Sequence, residues 1–384
     1  MSGHYDINHP IYQVGQNSLS FSQLLNYFID PSYKRGNLSR ISDMHVKIGI
    51  PLSLRIDDDL IQLPEGIAVN EDTMKYFLGI LLSEKNLEIV TDEENPKDVD
   101  TAFEWKEQGV NFRLNVFRDR EGLAFVMRVL ASTIPPIQEV GLPSDKIWQD
   151  ISGLKRGLVL VTGVTGSGKS TTISSLINHI NLSRKTRIIT LEDPVEFFHT
   201  SQRSLVNHRE VGTDTNSFAR ALKSALREDP DVILVGEMRD YETISLALTA
   251  AETGHLVFGT LHSNSAPKTI DRIIDVFPTG DKEMIRAMLA SSLQGVVAQT
   301  LLKKEGGGRV GAFEILVGTN AVRNLIRENQ VPQLFSMMQT GSRYGMITME
   351  DTIKDLYEAD IVSKDEARRA MLKASDQEDE QDEG

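Results

Sequence analysis

The 384-residue sequence predicts an α/β protein: a small α+β unit, then a larger domain on a mostly parallel sheet with a phosphate-binding loop, then a helical C-terminal region. Three observations carry this prediction. Between residues 157 and 316, apolar runs of strand length alternate with stretches of helical period. Within the first such pair the chain reads Gly163-Val164-Thr165-Gly166-Ser167-Gly168-Lys169-Ser170, with glycine, glycine, lysine and serine at the spacing of a phosphate-binding loop. Ahead of it, residues 132–143 contain Pro135, Pro136, Gly141 and Pro143, too broken for an element interior and suited to a linker. The resulting limits are 1–131, 132–143, 144–318, 319–374 and an acidic tail over 375–384.

In the first unit, Leu19, Phe21, Leu24, Leu25 and Phe28 give residues 19–29 a short helical stripe. Strands are expected at 44–48, 52–56 and 60–63, punctuated by Gly49, Pro51 and Asp57-Asp58-Asp59. Asn70 is placed to cap a helix through Met74, Phe77, Leu78, Leu81 and Leu82. Residues 91–100, acidic and containing a proline, read as a loop, and 111–117 with 123–129 as a hairpin turning at Asp119-Arg120-Glu121-Gly122. Arg113, Arg118, Arg120 and Arg128 make that hairpin basic.

In the larger domain, strands are expected at 157–162, 187–191, 231–236, 256–261 and 310–316. Helices are expected after the loop to residue 180, over 217–227, 241–252, 268–276 and 282–301, and in several segments after Ala321.

Composition narrows the function classes. No apolar run is long enough to cross a bilayer, and the polar start has no signal-peptide pattern, so a cytoplasmic location is expected. The absence of cysteine excludes disulfides and thiolate-held zinc or iron–sulfur centres. A net charge of −14 argues against nucleic acid as a partner. Six of the acids fall in the last ten residues, leaving −8 elsewhere; such a run reads as a disordered tail, either solvating or docking a basic partner.

The loop from Gly163 to Thr171 defines the chemistry. A triphosphate needs converging amides, a helix N-terminus and an ammonium, here Lys169 on the β- and γ-phosphates, while the Ser170 hydroxyl holds Mg2+. In open α/β sheets ligands gather at the carboxyl ends of strands. At one such end Glu237 follows Gly236, where many phosphate-loop ATPases have a magnesium-binding Asp, and is the candidate general base. At another lies Glu192-Asp193-Pro194-Val195-Glu196; Glu196 is the member expected near the metal, and Glu192 and Asp193 are as well suited to structural roles. His255 and His262 stand seven apart, an odd separation that puts them on opposite faces of a strand and rules out a simple metal pair. His262 is placed to sense phosphate; His255 alone is more often structural. Arg113 and Arg128 are candidates to bring positive charge to the γ-phosphate.

Four stretches together resemble the secretion-superfamily ATPases and, within them, the type IV pilus retraction ATPases. They are the phosphate loop, the acidic box from Leu191 through Glu196 to Phe197, the run from Ser224 through Glu237 to Asp240, and the histidine box ending at His262. The resemblance implies a PAS-like first domain and a RecA-like P-loop ATPase domain with a C-terminal helical bundle. It implies ATP and Mg2+ as cofactors, a catalytic Glu237, Glu196 near the metal, and functional His255 and His262. Arg113 and Arg128 would reach the nucleotide. It further implies a homo-hexamer with ATP at domain interfaces, peripheral to the inner face of the cytoplasmic membrane and engaging an inner-membrane pilus platform protein. The stretch Ala321-Val322-Arg323-Asn324-Leu325-Ile326-Arg327-Glu328 resembles a box needed for retraction. Extension and type II secretion relatives commonly carry a four-cysteine zinc motif, so its absence favours retraction; an accessory paralogue or an extension ATPase is the alternative. The long start before Ser42, the 91–100 segment and the acidic tail depart from the family pattern.

Overall fold

The computed structural model describes residues 5–35, 38–39, 41–56, 59–92, 95, 97–129 and 134–379, and it divides into two compact units, Met1–Thr133 and Ile134–Gly384.

The first unit opens with a hairpin, β1 (Pro10–Val14) and β2 (Asn17–Ser20), and the helix α1 (Phe21–Leu25), whose Ser20 and Gln23 form a capping box. After the short pairing of β3 (Lys34–Arg35) with β4 (Leu38–Ser39) come β5 (Ile41–Lys47), β6 (Ser53–Ile56) and β7 (Asp59–Gln62). Next are α2 (Glu71–Leu81), capped by Asn70 as the sequence indicated, and α3 (Glu84–Thr91). The unit closes with β8 (Val99–Trp105), β9 (Val110–Asp119) and β10 (Gly122–Val129). The six longer strands form one antiparallel sheet ordered β7-β6-β5-β10-β9-β8, the α+β layer expected. On β9 the side chains of Val110, Phe112, Leu114 and Val116 point inward on a period of two and join Phe21, Phe28, Phe77 and Phe125 in the core.

The expected loop over 91–100 is shorter than thought: α3 ends at Thr91 and β8 starts at Val99, with 93, 94 and 96 outside the described residues. Both elements carry mixed polar faces because they lie at the sheet margin, so their periodicity is weak.

The second unit starts with a 3₁₀ turn over Ile137–Glu139 and α4 (Asp145–Gly153). Then follow β11 (Gly157–Thr162), α5 (Lys169–Ser183), β12 (Arg187–Glu192), β13 (Leu205–Glu210), α6 (Phe218–Ala225), β14 (Val232–Val235), α7 (Tyr241–Glu252), β15 (Leu256–Leu261), α8 (Ala266–Asp275) and α9 (Lys282–Ser292). The strands β16 (Leu293–Lys303) and β17 (Arg309–Val317) precede α10 (Asn320–Arg327), α11 (Gln333–Thr340), α12 (Met349–Glu358) and α13 (Lys364–Asp379). The sheet order is β13-β12-β14-β15-β11-β16-β17, parallel except for the antiparallel edge pair β16 and β17.

Alternate residues of each buried strand feed two cores. Leu158 and Leu160 join the cluster under α6 to α10, whereas Val159 and Val161 pack with Ile173, Leu176, Ile177 and Ile180 of α5. This is the sheet covered on both faces that continuous apolar strands demand.

Three expectations are corrected here. Residues 282–301 are not one helix: α9 stops at Ser292 and β16 begins at Leu293. The run from Leu293 to Gln299 is buried on both faces between β11 and β17, so it shows neither helical nor alternating period, and the open edge of β11 decides its conformation. The segment expected as a free linker is packed from Ile137 onward: Ile137 is buried against the α5 face, and Ser175 Oγ donates to Pro135 O at 2.8 Å. Its first two residues, 132 and 133, lie outside the described residues. Finally, α13 runs five residues into the expected tail, because its i→i−4 backbone bonding continues past the last apolar contacts of Ala370 and Met371; residues 380–384 lie outside the described residues. Among the described residues no helix is long and apolar enough to cross a membrane.

Candidate active site at the phosphate-binding loop

The turn between β11 and α5 is set by glycine. Gly163 has φ +148° and Gly168 +88°, and a Cβ on Gly163 would overlap Gln299 O and Ser167 Oγ. Gly168 is the N-cap of α5 and supplies no side-chain cap, so the leading amides of a 15-residue helix are left for an anion. Lys169 curls back over the loop, its Nζ donating to Gly163 O at 2.8 Å and Val164 O at 3.0 Å. Burial pushes its ammonium below the ordinary lysine range, while the nearby carboxylates of Glu237 and Glu196 oppose that shift. The half-buried cation thus faces both predicted acids.

Glu237 leaves the end of β14. A Cβ at Gly236 would stand 3.0 Å from Leu191 O and 3.1 Å from Glu192 Cα, so an aspartate there would press on the neighbouring strand and require it to shift. The Glu237 carboxylate lies 3.0 Å from His262 Nε2 and pairs with Arg239 Nε. Burial first, then the charge of Lys169, hold His262 below the ordinary histidine range, against the pull of Glu237. Met238 N donates to Thr260 O at 2.9 Å, Thr260 Oγ1 bonds Gly236 O, and Arg272 of α8 bonds His262 O. The ends of β14 and β15 are therefore tied into one unit carrying both side chains.

The structure brings together Lys169, Glu237, Glu196 and His262 around the loop of Gly163, Val164, Thr165, Gly166, Ser167, Gly168, Ser170 and Thr171. It does not bring His255 there. That residue precedes β15 at the opposite end of a six-residue strand, roughly 20 Å away, and its ring packs locally with Nδ1 3.0 Å from Ala250 O. As a ligand of its own chain's loop His255 is ruled out by that distance. In the first unit, Arg113 and Arg128 are direct cross-strand neighbours on the exposed face of β9 and β10. Like charges so placed repel, and buried Asp43, across from Arg128 on β5, accepts from its Nε at 2.6 Å.

Sequence reading missed Gln299, Arg239 and Arg272. Gln299 of β16 donates Nε2 to Ser167 O at 2.7 Å across 132 residues, buttressing the loop from the strand mistaken for helix. Only the sheet register could reveal it. Arg239, two residues after Glu237, was visible as a charge next to the candidate base.

These residues fit a nucleoside polyphosphate: free helix amides, a cation and a backbone that only glycine can follow. Among the described residues no three acidic or histidine side chains converge as a metal cage. Magnesium would therefore take the Ser170 hydroxyl and phosphate oxygens rather than a dedicated protein cage.

Comparison with known proteins agrees with this geometry. The family model for "Type II/IV secretion system protein" matches residues 23–367. The chain belongs to that family. It is 48% identical over 330 residues to the type IV pilus retraction ATPase PilT of Pseudomonas aeruginosa, covering 85% of this chain and 93% of PilT. It is 33% identical over 337 residues to the type IV pilus ATPase PilU of the same organism, covering 87% and 86%. A crystal structure of the pilus retraction motor PilT with bound ADP superposes with TM-score 0.82 at 45% identity, covering 92% of this chain and 97% of that one. The ATPase DotB of Legionella pneumophila gives TM-score 0.75 at 26% identity, over 87% and 92%.

Proposed function

We propose that this chain is an ATP-hydrolysing motor subunit that powers type IV pilus retraction, working as a homo-hexamer on the cytoplasmic face of the membrane against a pilus platform protein. The observation that carries the chemistry is the close pair Glu237–His262, 3.0 Å apart, beside Lys169 at the mouth of a phosphate loop. The 48% identity to PilT over nearly its whole length, against 33% to PilU, supports retraction over an accessory role.

Lys169 and the α5 amides bind and orient the phosphates. Glu237 holds the attacking water and takes its proton at Oε1 or Oε2, with His262 and Arg239 fixing the carboxylate. The His262 ring, set against that carboxylate, reports on it to β15. Bound magnesium would neutralise charge on the β- and γ-oxygens, with Ser170 as its ligand and Glu196 nearby. Arg113 and Arg128 are assigned to the terminal phosphate in the assembled ring, where their charge favours transfer.

Glu237→Gln is expected to bind a fluorescent ATP analogue normally and to lose hydrolysis by about 10²-fold or more; normal turnover would remove Glu237 from the base role. Deleting the gene should leave surplus surface pili and no twitching. Bald cells would point to extension, and normal twitching to an accessory paralogue.

A further inference from the structure

The loop bearing Glu196 is anchored by a strand outside the motifs described above. His208 and Glu210 lie two apart on edge strand β13 and so share a face, directly opposite Thr190 and Glu192 of β12. His208 Nε2 accepts from His199 N at 3.0 Å, and Glu210 Oε2 accepts from Val195 N at 3.1 Å. These two backbone N–H groups flank Glu196, one residue before and three after. The same Nε2 lies 3.3 Å from His199 O, and Nδ1 is hydrogen-bonded with Thr190 Oγ1 at 2.8 Å, so the ring is held at both nitrogens. The second Glu210 oxygen accepts from Thr213 Oγ1 at 3.0 Å, and the residue is 8% exposed. The rings of His199 and His208 stack with centroids 5.6 Å apart. Both ends of the arch 195–199 are thus fixed by side-chain acceptors, and the charge of its one carboxylate is felt at Lys169.

We propose that His208 and Glu210 are positioning residues that hold Glu196 in its place beside the nucleotide, acting through the backbone of Val195 and His199. The inference rests on the assignment of Glu196 to the magnesium side of the site. A carboxylate as buried as that of Glu210, with neutral donors from Val195 and Thr213, is costly to bury without such a task. Residues that orient a metal-side ligand through one intermediate typically change affinity or activity by 10- to 100-fold when lost.

The test compares His208→Gln and His208→Leu in the full-length protein, with Glu210→Ala as a second site. Glutamine keeps an acceptor near the Nε2 position; leucine keeps the bulk and removes it. His208→Leu and Glu210→Ala should each raise the magnesium concentration for half-maximal hydrolysis about tenfold and leave magnesium-free binding of an ATP analogue unchanged. His208→Gln should stay near wild type. Independently of activity, hydrogen exchange of the 194–200 peptide in nucleotide-free protein should be slow in wild type and His208→Gln, and fast in the other two. Equal exchange in all four proteins, or His208→Gln as impaired as His208→Leu, overturns the inference. If leucine prevents folding, fast exchange of 194–200 in folded wild type does the same. Glu196→Gln with wild-type magnesium dependence would instead overturn the assignment of Glu196, with the exchange result still judging the clamp.

Discussion

The two ends of strand β15 carry one histidine each, and they behave as opposites. His262, at the carboxyl end, is drawn into a carboxylate, a lysine and two arginines contributed by β14, α5 and α8. The ring of His255, at the amino end, bonds only groups within five residues of itself. Parallel strands and helix N-termini converge at the carboxyl edge, so charge is collected from distant parts of the chain there, whereas the His255 ring at the amino edge finds its partners locally.

The sharpest way to break this contrast is at Lys169. Replacing it with alanine should cut hydrolysis by roughly 10²- to 10³-fold and weaken nucleotide binding in an equilibrium titration, while wild-type binding would detach the loop from the chemistry. Next comes acid stability. Burial, reinforced by the neighbouring His208, lowers His199 to about 3 from its ordinary 6.5. The unfolded chain therefore binds a proton that the native state refuses, and stability falls as pH drops through 6.5 toward 3. Between pH 7 and pH 4.5 this group alone should remove about 3 kcal/mol. His199→Phe should flatten that part of the denaturant-midpoint profile relative to wild type, and parallel profiles would refute it.

A smaller effect is expected at His262. Its alanine variant loses one positioning contact with the base, lowering kcat about tenfold, and His255→Ala should stay within about twofold of wild type in the same steady-state assay. Equal losses would erase the difference between the two strand ends. The least effect is at the amino edge, where Asp231 Oδ2 accepts from Arg187 N at 2.8 Å. Asp231→Ala should cost about 1 kcal/mol of stability in chemical denaturation and leave turnover unaltered.

Reading the sequence succeeded where pattern and chemistry coincide. The loop, α7 and β15 were placed within a residue of their observed limits because an apolar run, a glycine turn and a caps-and-stripe helix are local signals. The same reading failed for β16, which is apolar all round, and for β13, whose Asn207, His208 and Arg209 look like a surface segment until β12 pairs with it. His255 was grouped with the site through the family motif, and sheet direction separates it.

By itself the sequence determined the α/β class, the phosphate loop and the acids facing it, since each follows from short-range geometry around glycine, lysine and apolar strands. Which end of a strand a histidine occupies, which glutamine braces the loop and which edge strand grips Glu196 were decided only by tertiary structure. Those contacts join residues 9 to 132 positions apart, and it is the parallel sheet register that brings them within hydrogen-bonding distance.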